Sequence, residues 1–240
     1  MGRGSDGSLP VAGKVDLTTL DWPGKLATVV FLPGCNLRCP WCQNARLLRA
    51  EGTPTRPEEL SISPLSDALV LSGGEPTVHD LFPFLSVVRR VHPRLSLAVE
   101  TNGTLPSRLL LLVAARMVTV FLDVKAPLDD PELYGRMVGL PGKGEDVVEG
   151  VRTTLSLLER TGAPFELRHT VVPGLTDDPE VLRRLASSVG YPVVLQGFRP
   201  EGVEDPRFRA LPPVSPSRLR SLAEAHPLLR VRGVEEVVRG

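Results

Sequence analysis

Six short apolar runs, alternating with stretches of helical character, constrain this chain more than any other feature. The runs at residues 27–32, 67–71, 95–99, 118–124, 165–172 and 192–196 are apolar and largely β-branched or leucine-rich. Runs of this length and composition read as buried strands. Apolar positions recur at helical spacing over 78–92, 106–116, 146–160 and 178–188, and a further helix is expected to begin within 43–50. Pro106 opens one of these segments and Gly162 closes another, as helix starts and ends prefer. Such alternation requires a parallel sheet with right-handed crossovers. Six units are too few to close an eight-stranded barrel. The expected fold is therefore α/β, a partial (β/α)6 TIM-like barrel with an open mouth.

Polar signatures sit where these strands end: Ser72-Gly-Gly-Glu-Pro76, Glu100-Thr-Asn-Gly103, Asp123-Val-Lys125 and Arg168-His169. In α/β barrels the C-terminal ends of the strands carry the active site. Residues 1–14 are read as a loose Gly/Ser-containing tail and 15–240 as a single domain, with a core of about 25–200 and an extension of about 201–240. The extension holds several prolines, a short helical segment at 217–225 and a candidate edge strand at 228–231. Residues 51–64 and 128–144 read as connections.

The 28 basic and 28 acidic side chains cancel, which removes any whole-chain electrostatic argument for nucleic acid or a membrane surface. The most apolar run, 109–115, stops at Arg116, far short of the roughly 20 residues of a membrane helix. No secretory signal pattern opens the chain, so a reducing cytoplasm is expected.

All three cysteines lie in Cys35-Asn-Leu-Arg-Cys39-Pro-Trp41-Cys42, directly after the first apolar run. Buried structural thiols are the plain alternative, but short-spaced cysteines on one loop point to a metal centre. A structural zinc site takes four ligands; this loop offers three thiols, and the nearest histidine is His79. An iron–sulfur cubane held by three cysteines leaves one iron open to substrate chemistry.

C-x3-C-x2-C with an aromatic before the last cysteine resembles the signature of the radical S-adenosylmethionine (radical SAM) enzymes. The resemblance implies that Cys35, Cys39 and Cys42 hold a [4Fe–4S] cluster. It also implies that the open iron chelates S-adenosylmethionine, which is cleaved to methionine and a 5′-deoxyadenosyl radical. Ser72-Gly73-Gly74-Glu75-Pro76 resembles the family's glycine-rich motif, in which backbone approaches the cofactor closely and Glu75 suits its ammonium group. The acidic-Thr-Asn-Gly and Asp-x-Lys motifs are similar to those of glycyl-radical-enzyme activating enzymes. There, Glu100 and Asp123 imply ligands of a monovalent cation and Lys125 a cofactor contact. Trp41, Gln43, Thr101, Asn102 and Arg199 are further implied contacts. Arg168 is assigned to the cofactor carboxylate, with a structural salt bridge as the alternative. His169, its neighbour along a strand, points to the opposite face.

Residues 17–25 and 193–200 resemble one subgroup, the activating proteins of anaerobic ribonucleoside-triphosphate reductase. This implies a glycyl radical enzyme as partner and a flavodoxin or ferredoxin as electron donor. A single cysteine cluster excludes reactions that consume a second one. Two other readings stand beside this one. The first is a small-molecule radical SAM enzyme of the 7-carboxy-7-deazaguanine synthase type. The second is a non-catalytic metal-binding scaffold.

Overall fold

The computed structural model describes residues 7–231. Its strands are β1 (Leu9–Val11), β2 (Gly13–Thr18), β3 (Ala27–Leu32), β4 (Thr53–Thr55), β5 (Ala68–Gly73), β6 (Ser96–Thr101), β7 (Thr119–Asp123), β8 (Phe165–Val171), β9 (Val193–Gly197) and β10 (Leu229–Val231). Its helices are α1 (Leu81–Val91), α2 (Pro106–Ala114), α3 (Pro131–Met137), α4 (Gly144–Thr161), α5 (Pro179–Val189), α6 (Pro206–Arg209) and α7 (Pro216–Ala223). Prolines open five of them, where the missing N–H costs nothing. The side chains of Asp130, Asp178, Asp205 and Ser215 cap four of the same starts. Gly162 and Gly190 end α4 and α5 in the left-handed conformation that favours glycine.

One eight-stranded sheet runs β10-β9-β8-β7-β6-β5-β3-β2. Neighbours pair in parallel from β3 through β10, and β2 pairs antiparallel with β3. Among the described residues the end strands β10 and β2 do not pair with each other, and the sheet is open. The six expected strands and the edge strand at 228–231 are all present.

The differences lie where local pattern is weak. The expected loose tail is ordered from Leu9: β1 pairs with β4, Leu9 is buried, and residues 13–18 form an edge strand. Residues 1–6 lie outside the described set. The helix expected within 43–50 is a single 3₁₀ turn, Ala45–Leu48. The connection at 128–144 contains α3, which the sequence hides because Pro131, Gly135 and the Pro141-Gly142 pair read as turn signals.

The two faces of the sheet differ. Helices cover the outer face, where Val30, Leu32, Leu69, Leu71, Val99, Val120, Leu122 and Leu167 form the main core. The inner face begins with smaller residues, Ala27, Val29, Ala68, Val70 and Ala98, packed with Phe121. Trp22, on the β2–β3 loop, folds across them and meets Phe121 edge-on at 5.3 Å between ring centroids. The pair covers the small apolar residues of the inner face. Higher up, the same alternation puts Ser72, Glu100, Asp123, Arg168, Thr170 and Gln196 on the inner face. Polar strand ends are thereby gathered above an apolar floor.

Candidate active site

A cavity of about 180 Å3, open to solvent, lies above this floor. The cysteine loop forms one wall, with Cys35, Cys39, Cys42, Trp41, Gln43 and Asn44. The strand ends form the other, with Gly73, Gly74, Glu75, Glu100, Thr101, Asn102, Asp123 and Lys125. Ser72, Thr170 and Gln196 also line it. Sequence reading gave Ser72 only as part of the glycine-rich motif and Gln196 only within 193–200, and missed Thr170, although all three share the strand phase of Glu100 and Asp123.

The loop is held by backbone bonds. Gly74 N donates to Leu32 O at 2.9 Å and Glu75 N to Gly34 O at 2.8 Å. Asn44 Nδ2 donates to Gly73 O at 2.9 Å. A Cβ on Gly74 would stand 2.0 Å from Gly34 O, and one on Gly73, at φ +123°, 2.4 Å from Leu32 O. The glycine pair therefore lets two backbones meet, which departs from the expectation that it makes room for a ligand. On the other flank, Arg38 N donates to Val138 O at 2.9 Å and Trp41 Nε1 to Met137 O at 3.2 Å. The unforeseen helix α3 thus buttresses the cysteine loop.

Glu75 is buried. Its Oε1 accepts from Thr77 N, Thr77 Oγ1 and Thr101 Oγ1 at 3.0, 2.5 and 2.7 Å, and its Oε2 from Asn102 N at 2.7 Å. Burial pushes its carboxyl up, against the pull of these donors. Glu75 therefore ties the end of β5 to the end of β6, and four protein donors already occupy the carboxylate that was expected to meet an ammonium group. Asn102 extends the tie: its Nδ2 donates to Asn36 Oδ1 at 3.0 Å, beside Cys35.

Arg168 stands apart from the cavity wall. Its guanidinium donates to Glu100, Glu166 and Asp21 O at 2.5, 2.7 and 2.8 Å, and lies 3.5 Å over the Phe121 ring. Bonded on three sides and only 2 % exposed, it makes the salt bridges that were the alternative to a cofactor contact. Glu100 also accepts from Ser72 Oγ at 2.5 Å. Asp123 pairs with Lys125 Nζ at 3.3 Å. The two acids expected to hold a monovalent cation are thus each matched by a cationic side chain. Arg199 is exposed and lines an adjoining cavity, which shares Gln43, Thr170 and Gln196 with the first.

Lys125 reaches into the cavity between these groups, its Nζ 5.2 Å from the centroid of the Trp41 ring. Burial opposes its charge, but Asp123 and Cys39 more than offset this and hold its pKa above the usual lysine range. Burial also raises all three thiols, Cys39 up to about 12. Bare thiolates are therefore disfavoured, and a positive partner is needed to ionise them. Iron supplies one, and three soft sulfurs on one wall fit it. Among the described residues, no three His, Cys, Asp or Glu side chains converge on one ion position. A polynuclear cluster does not need them to, because each thiolate can take its own iron.

A family model described as the Radical SAM superfamily matches residues 29–186. The chain belongs to the radical SAM superfamily. Its cofactors are accordingly a [4Fe–4S] cluster and S-adenosylmethionine. The cluster, when bound, supplies the electron that cleaves S-adenosylmethionine. The radical SAM chain is 30% identical over 223 residues to a protein of Methanocaldococcus jannaschii provisionally named a glycyl-radical enzyme activating enzyme, covering 89% of this chain and 90% of that one. It is 29% identical over 184 residues to the pyruvate formate-lyase-activating enzyme of Clostridium pasteurianum, covering 71% of each. It is also 37% identical over 86 residues to the 7-carboxy-7-deazaguanine synthase of Aquifex aeolicus, covering 34% of this chain and 38% of that one. Among the described residues of the radical SAM protein, no helix is long and apolar enough to cross a membrane.

In this radical SAM site Lys125 is the one lysine on the cavity wall. Lys125→Ala is expected to weaken S-adenosylmethionine binding by about 1.5–3 kcal/mol, the worth of a hydrogen bond to a charged group. Equilibrium dialysis with cluster-loaded protein measures this, and an unchanged affinity removes Lys125 from the site.

Proposed function

We propose that this radical SAM enzyme is an activase, which generates a glycyl radical on a partner protein, an anaerobic ribonucleoside-triphosphate reductase. The net reaction consumes one electron, S-adenosylmethionine and one glycine Cα–H of the partner. It yields methionine, 5′-deoxyadenosine and the glycyl radical, so the abstracted hydrogen ends on the deoxyadenosine. The electron comes from a one-electron donor of the flavodoxin or ferredoxin class. The observation that carries the activase reading is the likeness to the M. jannaschii protein, which runs over 89% of this chain. The likeness to the deazaguanine synthase stops at 34%.

The residues act in this scheme as follows. Cys35, Cys39 and Cys42 hold the cluster. The backbone around Gly73 and Gly74 holds the loop that carries them against the end of β5. Lys125 and Trp41 bind S-adenosylmethionine beside the cluster, and Thr101, Asn102 and Gln43 complete that wall. Trp22 and Phe121 pack edge-on to form the apolar floor. A peptide loop entering the open mouth then excludes solvent from the reacting atoms. The choice of reductase as partner rests on residues 17–25 and 193–200. The first segment supplies Trp22 and the Asp21 carbonyl that anchors Arg168, and the second supplies Gln196 and Arg199.

Electron paramagnetic resonance tests the proposal. Reduced, cluster-loaded protein mixed anaerobically with S-adenosylmethionine and an anaerobic ribonucleotide reductase is expected to give a glycyl doublet, with methionine and 5′-deoxyadenosine in equal amounts. A doublet with another glycyl radical enzyme and none with the reductase corrects the partner alone. If no such enzyme gives a doublet, yet a small pterin-like metabolite stimulates 5′-deoxyadenosine formation, the chain acts on a small molecule.

A further inference from the structure

The peptide unit between Val124 and Lys125 is gripped at both ends by side chains from two different elements. Val124 N still belongs to the sheet, donating to Arg168 O at 2.9 Å. Beyond that bond the β7–β8 ladder stops. The next two polar groups, Val124 O and Lys125 N, would lack partners inside a closely packed interior. The side chain of His169, on β8, takes the first: its Nδ1 lies 2.8 Å from Val124 O. The hydroxyl of Tyr134, on α3, takes the second, accepting from Lys125 N at 3.1 Å. Both side chains are almost wholly buried, at 1 % exposure each.

The histidine is retained at a cost. A carbonyl can only accept, so Nδ1 carries the proton and Nε2 is left bare. That Nε2 is buried with no hydrogen-bond partner. A buried polar atom without a partner is unfavourable, and an apolar residue here would avoid it. What histidine supplies, and an apolar residue cannot, is the donor to Val124 O.

The peptide so held is the root of the Lys125 side chain. The ammonium lies 3.3 Å from Asp123 Oδ2 and over the Trp41 ring. Trp41 is in turn fixed by the carbonyl of Met137, the last residue of α3, the helix that carries Tyr134. One seven-residue helix therefore sets both Lys125 and the ring that Lys125 covers.

We propose that Tyr134 and His169 are positioning residues for Lys125, clamping the Val124–Lys125 peptide so that the ammonium is pre-aimed at S-adenosylmethionine. The inference rests on the reading of Lys125 as a cofactor contact, and the test separates the two. Lost pre-organisation raises the binding cost of a flexible side chain without removing the contact itself.

The experiment is a double-mutant cycle on cluster-loaded protein, read as the dissociation constant for S-adenosylmethionine by anaerobic equilibrium dialysis, with iron content measured alongside. Tyr134→Phe is expected to raise the dissociation constant about three- to tenfold, the scale of one net hydrogen bond, with iron content unchanged. In a Lys125→Met background the same substitution is expected to change nothing, because its route to the ligand is gone. A merely structural tyrosine would weaken binding equally in both backgrounds, and that additivity overturns the proposal. Should Tyr134→Phe fail to fold, the His169 pair decides. His169→Asn keeps an N–H where Nδ1 stands and is expected to bind normally, whereas His169→Leu is expected to bind as weakly as Tyr134→Phe would. Equal affinities for the two overturn the clamp. If Lys125→Met itself binds normally, the contact reading falls and the clamp with it. If Lys125→Met binds weakly while Tyr134→Phe and His169→Leu bind normally, the clamp alone falls.

Discussion

Replacing any one of Cys35, Cys39 or Cys42 with alanine is expected to abolish S-adenosylmethionine cleavage. The chain contains no other cysteine that could substitute. Each of the three lines the same cavity, on a loop held from both flanks by backbone bonds. Two remaining thiols would be left with burial still pushing them toward the neutral form and with too few ligands to keep a cluster. Wild-type protein reconstituted anaerobically should carry about four irons per chain, as one cubane does. Each alanine variant should lose most of that iron and form no methionine from S-adenosylmethionine. Full cleavage by any one of the three variants would remove that cysteine from the cluster.

The second large effect concerns Gly74→Val. From sequence, this change is expected to spare the cluster and block S-adenosylmethionine sterically. The structure reverses the order of damage. A Cβ at Gly74 meets Gly34 O at 2.0 Å and Gly34 C at 2.8 Å, both backbone atoms that cannot swing aside. Gly34 immediately precedes Cys35, so the strain is relieved by pushing the cysteine loop away from β5. That movement also breaks the bonds from Gly74 N to Leu32 O and from Glu75 N to Gly34 O. Overpacking of this kind costs roughly 1–3 kcal/mol before the lost hydrogen bonds are counted. Iron content and cofactor affinity should fall together, and iron analysis of the reconstituted variant tests this. Normal iron with lost binding would mean that Gly74 faces the ligand after all.

These two cases show the division between what is local and what is not. The six-fold alternation, the strand ends and the cysteine spacing follow from the residues themselves. Period 2 and period 3.6 are set by backbone geometry, and polar residues in one strand phase must share a face. Glu100, Asp123 and Lys125 could be assigned to one site from the sequence because they stand at the ends of neighbouring strands and because the family resemblance implies it. Short elements stabilised by distant partners left no comparable trace. β1 exists because β4 pairs with it across the chain. Helix α3, interrupted by turn-forming residues, exists because it packs on α4 and under the cysteine loop.

The roles of charged groups divide in the same way. An arginine at a strand end has the same local sequence whether it meets a ligand or a neighbour. Only the tertiary arrangement puts Glu100, Glu166 and the Asp21 carbonyl around the Arg168 guanidinium. The carboxylate of Glu75 was claimed in the same way by Thr77, Thr101 and Asn102. By itself the sequence determined the six central strands and which residue types their ends and the cysteine loop carry, because those depend on near neighbours and spacing. Which polar groups remain free for a ligand, and which are consumed in holding the loop, was decided only by the tertiary structure, because a hydrogen bond is spent on whichever partner folding brings within about 3 Å.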